Sequence, residues 1–141
     1  MSKVGRAAYS ESKQRTRSIT SDTTLQHAWT GETIFLGANG IDITLPPAKA
    51  GMYFTVILAG DYASAVCTVV QNAATEDFYG HVFGSEGENA GTDADTGASA
   101  NTKITFSSAS MRGDRVELVS DGSVWYVAAY AKNYAGITFD N

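Results

Sequence analysis

The residue types that most often perform catalysis or bind metal ions are scarce in this chain of 141 residues. It contains two histidines, His27 and His81, and one cysteine, Cys67. The histidines lie at neither a metal-ligand nor a Ser-His-Asp spacing, and one cysteine can form no disulfide within the chain and no CxxC metal pair. Because Cys67 lies within the apolar run AVCTVV, we expect it to be a small buried hydrophobic residue.

The carboxylates do not form a catalytic or metal-binding pattern of known type either. Glu76 and Asp77 are adjacent, but neighbouring residues of a strand point to opposite faces, unlike the carboxylate pair of a glycosidase. The segment DADTG, residues 93–97, resembles part of a calcium loop, yet its glycine is one place early and Ile104 stands where glutamate is required. Loose calcium coordination is an alternative to a solvated acidic loop, with four candidate ligands: Glu86, Glu88, Asp93 and Asp95.

Other short motifs favour structural interpretations. GSEGENAG, residues 84–91, has the glycines of a phosphate-binding loop but neither the GxxxxGK[ST] pattern nor a positive charge. RGD at 112–114 directly precedes an alternating run, which favours a turn over an adhesion motif. Trp29 and Trp125, with DFYGHVF at 77–83, which includes Tyr79, are candidates for an exposed sugar-binding platform, although alternating aromatic residues in small β domains usually fill the core. The sequence therefore predicts no enzymatic activity, no resident metal and no cofactor.

Charge is distributed unevenly along the chain, whose net charge is −5. Residues 1–17 carry five basic side chains against Glu11, which gives this segment a net charge of +4 and leaves −9 for the remainder. Basic arms of this kind contact acidic protein surfaces or nucleic acid, and we expect the protein surface. The candidate anchoring residues are Lys3, Arg6, Lys13, Arg15 and Arg17.

Apolar residues repeat with the period of β-strands almost throughout. IDITL at 41–45 and KITFS at 103–107 alternate apolar with polar residues, whereas MYFTVILAG at 52–60 is continuously apolar and predicts a central strand covered on both faces. Short strands at such close spacing predict an all-β fold, an antiparallel β-sandwich or barrel of about 8–10 strands. A chain with 43% hydrophobic residues at this length suits one core.

The stretch GDRVELVSDGSVWYVAAYA, residues 113–131, carries the strongest local signal. Two alternating runs flank Asp121 and Gly122, which predicts a β-hairpin with these two residues as its turn. That register places Leu118 opposite Trp125 on a face that we expect to be core. The expected core residues of the hairpin are Val116, Leu118, Trp125 and Val127. The opposite face is half apolar and is a candidate subunit interface, formed by Arg115, Glu117, Val119, Val124 and Tyr126.

These observations divide the chain into a basic, extended N-terminal arm, residues 1–17, and a single β domain, residues 18–141. The segment 84–101 interrupts the domain with four glycines and four carboxylates and no large apolar residue. It exceeds the usual length of a structureless loop, about 12–15 residues. We therefore expect an acidic surface loop that points away from the binding partner.

The order of these segments resembles a family of small virion structural proteins of tailed bacteriophages, especially marine and cyanobacterial ones. The resemblance covers about residues 18–139, including the stretch from SDTTLQ to VILAG, then DFYGHVFG, NTKITFSSASM and the final GITF. Its most specific element is GDRVELVSDGSVWYV. Similar hairpins occur in phage fibre and tailspike domains, so this element alone does not separate head from tail. The basic arm departs from the family pattern.

Members of that family are regarded as capsid decoration, or cement, proteins. The resemblance thus implies a β-rich protein that clusters as trimers on the outer capsid surface by binding the major capsid protein lattice. The expected partners are that protein and further copies of this chain, with no nucleic acid, membrane or small-molecule substrate. The expected location is the outer capsid surface of the virion, after synthesis in the host cytoplasm. The alternative is a tail-fibre or receptor-binding module that contacts host glycans.

Overall fold

The computed structural model describes residues 13–61, 66–86, 101–133 and 135–141, with the side chains of 85 and 86 left aside. These residues form eleven β-strands and, within the described ranges, no α-helix. In this part of the chain one 3-10 turn, His27–Trp29, lies between the second and third strands. The strands are β1 Thr16–Ile19, β2 Thr23–Thr24, β3 Thr33–Leu36, β4 Asp42–Thr44, β5 Tyr53–Leu58, β6 Cys67–Val70, β7 Phe78–Glu86, β8 Lys103–Phe106, β9 Arg115–Ser120, β10 Trp125–Asn133 and β11 Ile137–Asp140.

The strands form two sheets that pack face to face. One has six strands in the order β1-β3-β5-β9-β10-β7, and the other has five in the order β11-β8-β6-β4-β2. One apolar cluster lies between them and draws residues from both sheets, such as Val56 and Trp125 from the first and Val69 and Phe106 from the second. Two sheets around one core confirm the predicted all-β sandwich.

Strand direction differs from the antiparallel prediction, because five of the nine pairings between described strands are parallel and four are antiparallel. The cause is the way the chain winds. From β1 to β6 it crosses to the opposite sheet after every strand, so β1, β3 and β5 are neighbours in one sheet and β2, β4 and β6 in the other. Two crossings return the chain in its original direction, and each strand of one sheet serves as the crossover for a parallel pair in the other.

Strand β5 also differs from its prediction. Its burial alternates, with Phe54, Val56 and Leu58 buried and Tyr53 54% exposed. Both neighbours of β5 belong to the same sheet, and the second sheet covers only one of its faces. A continuously apolar strand with one uncovered face therefore leaves apolar surface on the outside of the protein.

Residues 113–131 include a β-hairpin, but its register differs by two residues from the prediction. Val127, not Trp125, lies opposite Leu118, and the loop spans four residues, Asp121–Val124. A shift of two keeps every side chain on its predicted face. The four residues expected in the core are at most 5% exposed: Val116, Leu118, Trp125 and Val127.

The side chain of Asp121 explains the longer loop. Its Oδ1 accepts hydrogen bonds from the backbone N–H groups of Ser123 at 2.8 Å and Val124 at 3.0 Å. These two bonds, from Ser123 and then Val124, are the largest causes that lower the pKa of Asp121 to about 2. Gly122 follows with a φ of +103°, a conformation that favours glycine. An Asp-Gly pair thus supports a four-residue loop here, because the carboxylate supplies the hydrogen bonds that a two-residue turn would make through the backbone.

Candidate functional site

The most distinctive surface of the protein is the side of the six-stranded sheet that faces away from the core, which we call the outer face. Strand register arranges its side chains in three rows that cross the strands. The tyrosine row contains Tyr53, Val119, Tyr126 and Tyr79. The trough contains Thr55, Glu117, Ala128 and His81. The mixed row contains Ile57, Arg115, Tyr130 and Phe83.

Exposed apolar side chains are concentrated on this face. The described residues include seven large hydrophobic side chains that are exposed, and only two of them, Val66 and Met111, lie elsewhere. The five on the outer face are 40–54% exposed: Tyr53, Phe83, Val119, Tyr126 and Tyr130. Single exposed hydrophobic residues are ordinary, but a contiguous group on one sheet face is typical of an interaction surface.

Four of the five predicted interface residues lie on the outer face. Val119 and Tyr126 stand opposite each other in the tyrosine row, while Arg115 and Glu117 follow one another along β9. The fifth, Val124, lies in the hairpin loop and is partly buried. These four residues share one face, which extends beyond the hairpin to β5 and β7, and their role as a subunit interface stays a prediction.

The sequence prediction missed Tyr53 and Tyr130, and it considered Phe83, within DFYGHVF, only for a sugar platform and not for this surface. Each occupies an outward position in a strand whose alternate residues are buried. The alternation in DFYGHVF and AAYA is visible in the sequence, but the partner strands that bring these residues beside β9 are not. Only the observed strand order could have joined them into one surface.

Contacts within the outer face hold several of its side chains in place. The rings of Phe83 and Tyr130 stack with centroids 5.5 Å apart, and the Arg115 guanidinium lies 5.1 Å from the centre of the Tyr130 ring. Arg115 and Glu117 approach to 3.8 Å, and both side chains are nearly half exposed. The hydroxyl of Tyr126 donates a hydrogen bond to Oδ2 of Asp121 at 3.1 Å, and this bond raises the pKa of Tyr126.

An open groove of about 480 Å³ lies on the outer face, lined by residues of the tyrosine row and of the trough. Its outward lining residues are Tyr53, Thr55, Glu117, Val119, Tyr126 and Ala128. The groove therefore combines two aromatic rings with one carboxylate and with the hydroxyls of threonine and tyrosine, so it offers both apolar contact and hydrogen-bonding groups.

The predicted basic arm meets the structure at β1, since Lys3 and Arg6 lie outside the described residues and Lys13 is exposed. Arg15 and Arg17 are not unpaired cations, because both bind the carboxylate of Glu32. The Nη2 atom of Arg15 is 2.8 Å from Oε1, and Nε of Arg17 is 2.8 Å from Oε2. The boundary predicted between residues 17 and 18 thus falls inside β1, which pairs with β3.

Burial and aromatic contact stabilise this cluster further. The side chain of Glu32 is 3% exposed, and the guanidinium of Arg17 lies 3.8 Å above the ring of Trp29. The hydrogen bond from Arg17 is the largest influence on the carboxylate and lowers the pKa of Glu32 below its ordinary value of 4.5, although burial opposes the shift. The charges of Arg15 and Arg17 act in the same direction. The cluster therefore fastens β1 to the edge of the sheet.

Replacing Glu32 with glutamine should lower the free energy of unfolding at neutral pH by about 1–2 kcal/mol. The exposed guanidinium of Arg15 keeps the effect from being larger. Because the native pKa of Glu32 is lowered, its contribution is complete above pH 4.5 and is lost as the pH falls through the native pKa. Urea unfolding of both proteins from neutral to acid pH measures the difference, which should shrink below pH 4.5. Equal pH dependence in the two proteins would contradict this assignment.

The remaining sequence candidates lie apart from one another. Trp29 contacts Arg17 at one edge of the six-stranded sheet and Tyr79 lies on β7 at the other. Trp125 has no exposed surface because its side chain faces the core. The prediction of one exposed sugar platform is therefore wrong. Asp114 of the RGD motif is 4% exposed and accepts hydrogen bonds from the backbone N–H groups of Met111 and Lys132, both at 2.9 Å. The carboxylate of the RGD motif is therefore occupied by hydrogen bonds within the protein.

Glu76, one of the adjacent pair considered for catalysis, is likewise occupied, and the candidate calcium ligands lie outside the described residues. Oε1 of Glu76 accepts a hydrogen bond from the backbone N–H of Ala48 at 3.0 Å. The acidic segment at 87–100 and the Glu86 side chain, which include all four candidate calcium ligands, lie outside the description. Within the described ranges, no three His, Cys, Asp or Glu side chains group as metal ligands would. Cys67 is 1% exposed.

None of the helical structure in the described part of the chain is long and apolar enough to cross a membrane. No protein-family model matches the chain, and no curated protein is significantly similar to it in sequence.

Proposed function

We propose that this protein is a structural component of a bacteriophage virion that decorates and stabilises the outer surface of the capsid. It binds the lattice of the major capsid protein and acts as a homo-oligomer, for which the family resemblance implies trimers. The observation that carries the proposal is the outer face, where Tyr53, Phe83, Val119, Tyr126 and Tyr130 are together exposed. A monomer in water gains nothing from such a surface, whereas a lattice protein gains contacts.

The physics of decoration requires binding rather than chemistry. A protein that binds only the assembled shell adds its binding free energy to the stability of that shell. Repetition over many equivalent sites gives strong attachment from individually modest contacts. A rigid β-sandwich with an apolar face and a basic segment at its N-terminal end suits this role.

The Glu32 cluster refines the hypothesis for the arm. Because Arg15 and Arg17 are bound to Glu32, the charges left for the capsid are those of Lys3, Arg6 and Lys13. In this proposal β1 is the fixed root of the arm, and the residues before it contact an acidic groove or a free sheet edge of the capsid protein.

A chain that lacks residues 1–13 should bind purified shells at least about tenfold more weakly, because it loses these three cations while β1 stays intact. Its unfolding temperature should match that of the full chain. A full-length variant with Lys3, Arg6 and Lys13 changed to glutamine is the control, because it removes the same three charges without shortening the chain. Unchanged shell affinity of the truncated chain would end the arm hypothesis.

Decoration itself is tested by the number of copies per virion, measured by quantitative mass spectrometry against the major capsid protein. A ratio near one copy per capsid subunit, or a simple lattice fraction of it, supports the proposal. A few copies to a few tens per particle would indicate a location in the tail, and absence from particles would rule out a function in the virion.

A tail-fibre or receptor-binding module is the second candidate, and the groove lined by Tyr53 and Tyr126 favours it. Aromatic rings beside a carboxylate and several hydroxyl groups are suited to a sugar ring. Under this alternative the protein binds components of a glycan array, and the Tyr53→Ala variant loses that binding.

A further inference from the structure

We propose that the outer face binds the outer face of a second copy of this chain. The two copies are related by a two-fold axis that lies between the facing sheets and runs parallel to the rows, midway between the trough and the mixed row. This inference deepens the proposed function, because it names the partner of the surface on which that function rests. The partner follows from three properties of the face: its shape, its charges and its size.

The shape of the face is complementary to itself under this symmetry. Neighbouring rows are two residues apart along each strand, about 7 Å. A two-fold axis midway between the trough and the mixed row places each mixed-row residue over the trough residue of the same strand in the other copy. The large ring of Tyr130 then lies over Ala128, and Ile57 lies over Thr55. On β10 and β5 a larger side chain thus meets a smaller one, which is how two sheet faces interdigitate, and on β7 the ring of Phe83 lies over that of His81.

The charges of the face are complementary in the same arrangement. Arg115 of one copy lies over Glu117 of the other, so the loose pair within each chain, at 3.8 Å, is joined by two pairs between chains. The axis also brings Tyr126, with Asp121 bound to its hydroxyl, towards Lys132 of the second copy. Two chains that each carry a net charge of −5 repel one another elsewhere, and this face gives them balanced contacts.

The size of the face is sufficient for a specific, concentration-dependent contact. Its three rows cross four strands, which at a spacing of about 4.8 Å and a length of about 17 Å along the strands give a face of about 330 Å² in projection. Side-chain relief makes the accessible area larger, and the contact then belongs among the smaller specific interfaces, which bury less than about 1,200 Å² in total. Tyrosine and arginine are also among the residues enriched in such interfaces.

The first test is the assembled mass of the full chain in solution, by sedimentation equilibrium, with two matched variants. Val119→Lys places a cation on the outer face near Arg112 and Lys132 of the second copy. Val66→Lys is the control, since Val66 is 47% exposed and Val119 46% exposed. We expect Val119→Lys to halve the assembled mass, or to raise the dissociation constant at least about tenfold, and Val66→Lys to match the wild type. The mass halves whether single chains or trimers pair through this face.

A charge exchange tests the identity of the partner. Arg115→Glu alone should separate the copies, because the introduced carboxylate would then oppose that of Glu117, and the double variant Arg115→Glu/Glu117→Arg should assemble again. Restoration requires that the partner carry the same two positions, so a foreign protein on this face would not give it. The inference is overturned by an unchanged mass in Val119→Lys, by equal loss in Val66→Lys, or by a double variant that stays apart.

These measurements contain no capsid, so they separate this inference from the proposed function. A chain that self-associates through the outer face but does not bind shells supports the inference and removes decoration. If the wild-type chain binds shells through the outer face but has the same mass in solution as Val119→Lys, the proposed decoration function is supported and the inference is overturned.

Discussion

Replacing Trp125 with alanine should lower the free energy of unfolding by about 3–5 kcal/mol, the range measured for removing a large aromatic side chain from a packed core. Trp125 is among the largest side chains with no exposed surface, and its ring centroid lies 6.2 Å from that of Phe54 on β5. Trp125 lies on β10, which is hydrogen-bonded on both sides, to β9 and to β7, so its backbone cannot move into the space that the ring leaves. At this chain length the loss corresponds to a decrease in Tm of about 10–20 °C.

A matched variant separates packing from hydrogen bonding at this position. The indole Nε1 of Trp125 is buried and has no acceptor among the described residues. Trp125→Phe keeps most of the ring and removes an unsatisfied donor, so it should cost about 1–2 kcal/mol, well below the alanine variant. Calorimetry at equal protein concentration gives both values. Equal losses in the two variants would show that the indole N–H contributes through a partner outside the described residues.

Much of the fold follows from the period of two in the apolar residues. The alternation in the segments around Ile43, Ile104 and Val116 predicts strands that the structure contains, and it assigns each of these residues to the core. Burial of one face is a local property of a strand, since the neighbouring side chains are fixed by the pleat. For this reason the side chains of the hairpin are on their predicted faces even though their register is not as predicted.

Strand pairing is the part that the sequence does not reveal. The parallel pairs among β1, β3 and β5 arise because the chain crosses between sheets after each strand, and no residue pattern within a strand reports what its crossover does. The hairpin register depended on whether Asp121 uses its side chain as a hydrogen-bond acceptor. The turn motif alone is compatible with both loop lengths.

The same limit explains which functional residues could be found. Val119 and Tyr126 are recognisable because they lie on the predicted hairpin, whereas Tyr53 and Phe83 join them only through the strand order. For Arg15 and Arg17 the sequence instead suggests a function that the structure does not support, because their positive charge is typical of a free arm. Their partner, Glu32, is one isolated acidic residue in the sequence, and only the parallel pairing of β1 with β3 brings it within reach.

Replacing Gly80 with alanine should separate β7 from β10 locally and lower the free energy of unfolding by about 3 kcal/mol or more. A Cβ atom at Gly80 would lie 1.8 Å from the carbonyl oxygen of Val127, its partner in the parallel pair. Carbon and oxygen atoms do not approach so closely, and a backbone carbonyl in the middle of a sheet cannot rotate away. The strands must therefore part, which breaks neighbouring hydrogen bonds and withdraws Phe78 and Val82 from the core.

Gly51→Ala is the matched control. It makes the same substitution at a glycine that is limited by its backbone conformation and not by lack of space. A Cβ atom there meets nothing within 4 Å, but the residue has a φ of +81°, so the expected cost is the intrinsic penalty of that conformation, about 1–2 kcal/mol. Hydrogen exchange distinguishes the two variants better than stability alone. Gly80→Ala should increase exchange of the amides along β7 and the adjoining part of β10, while Gly51→Ala leaves their relative protection unchanged. If Gly80→Ala kept both its stability and the protection of β7, the close approach of these two strands would be refuted, and with it the position of Phe83 beside Tyr130 on the outer face.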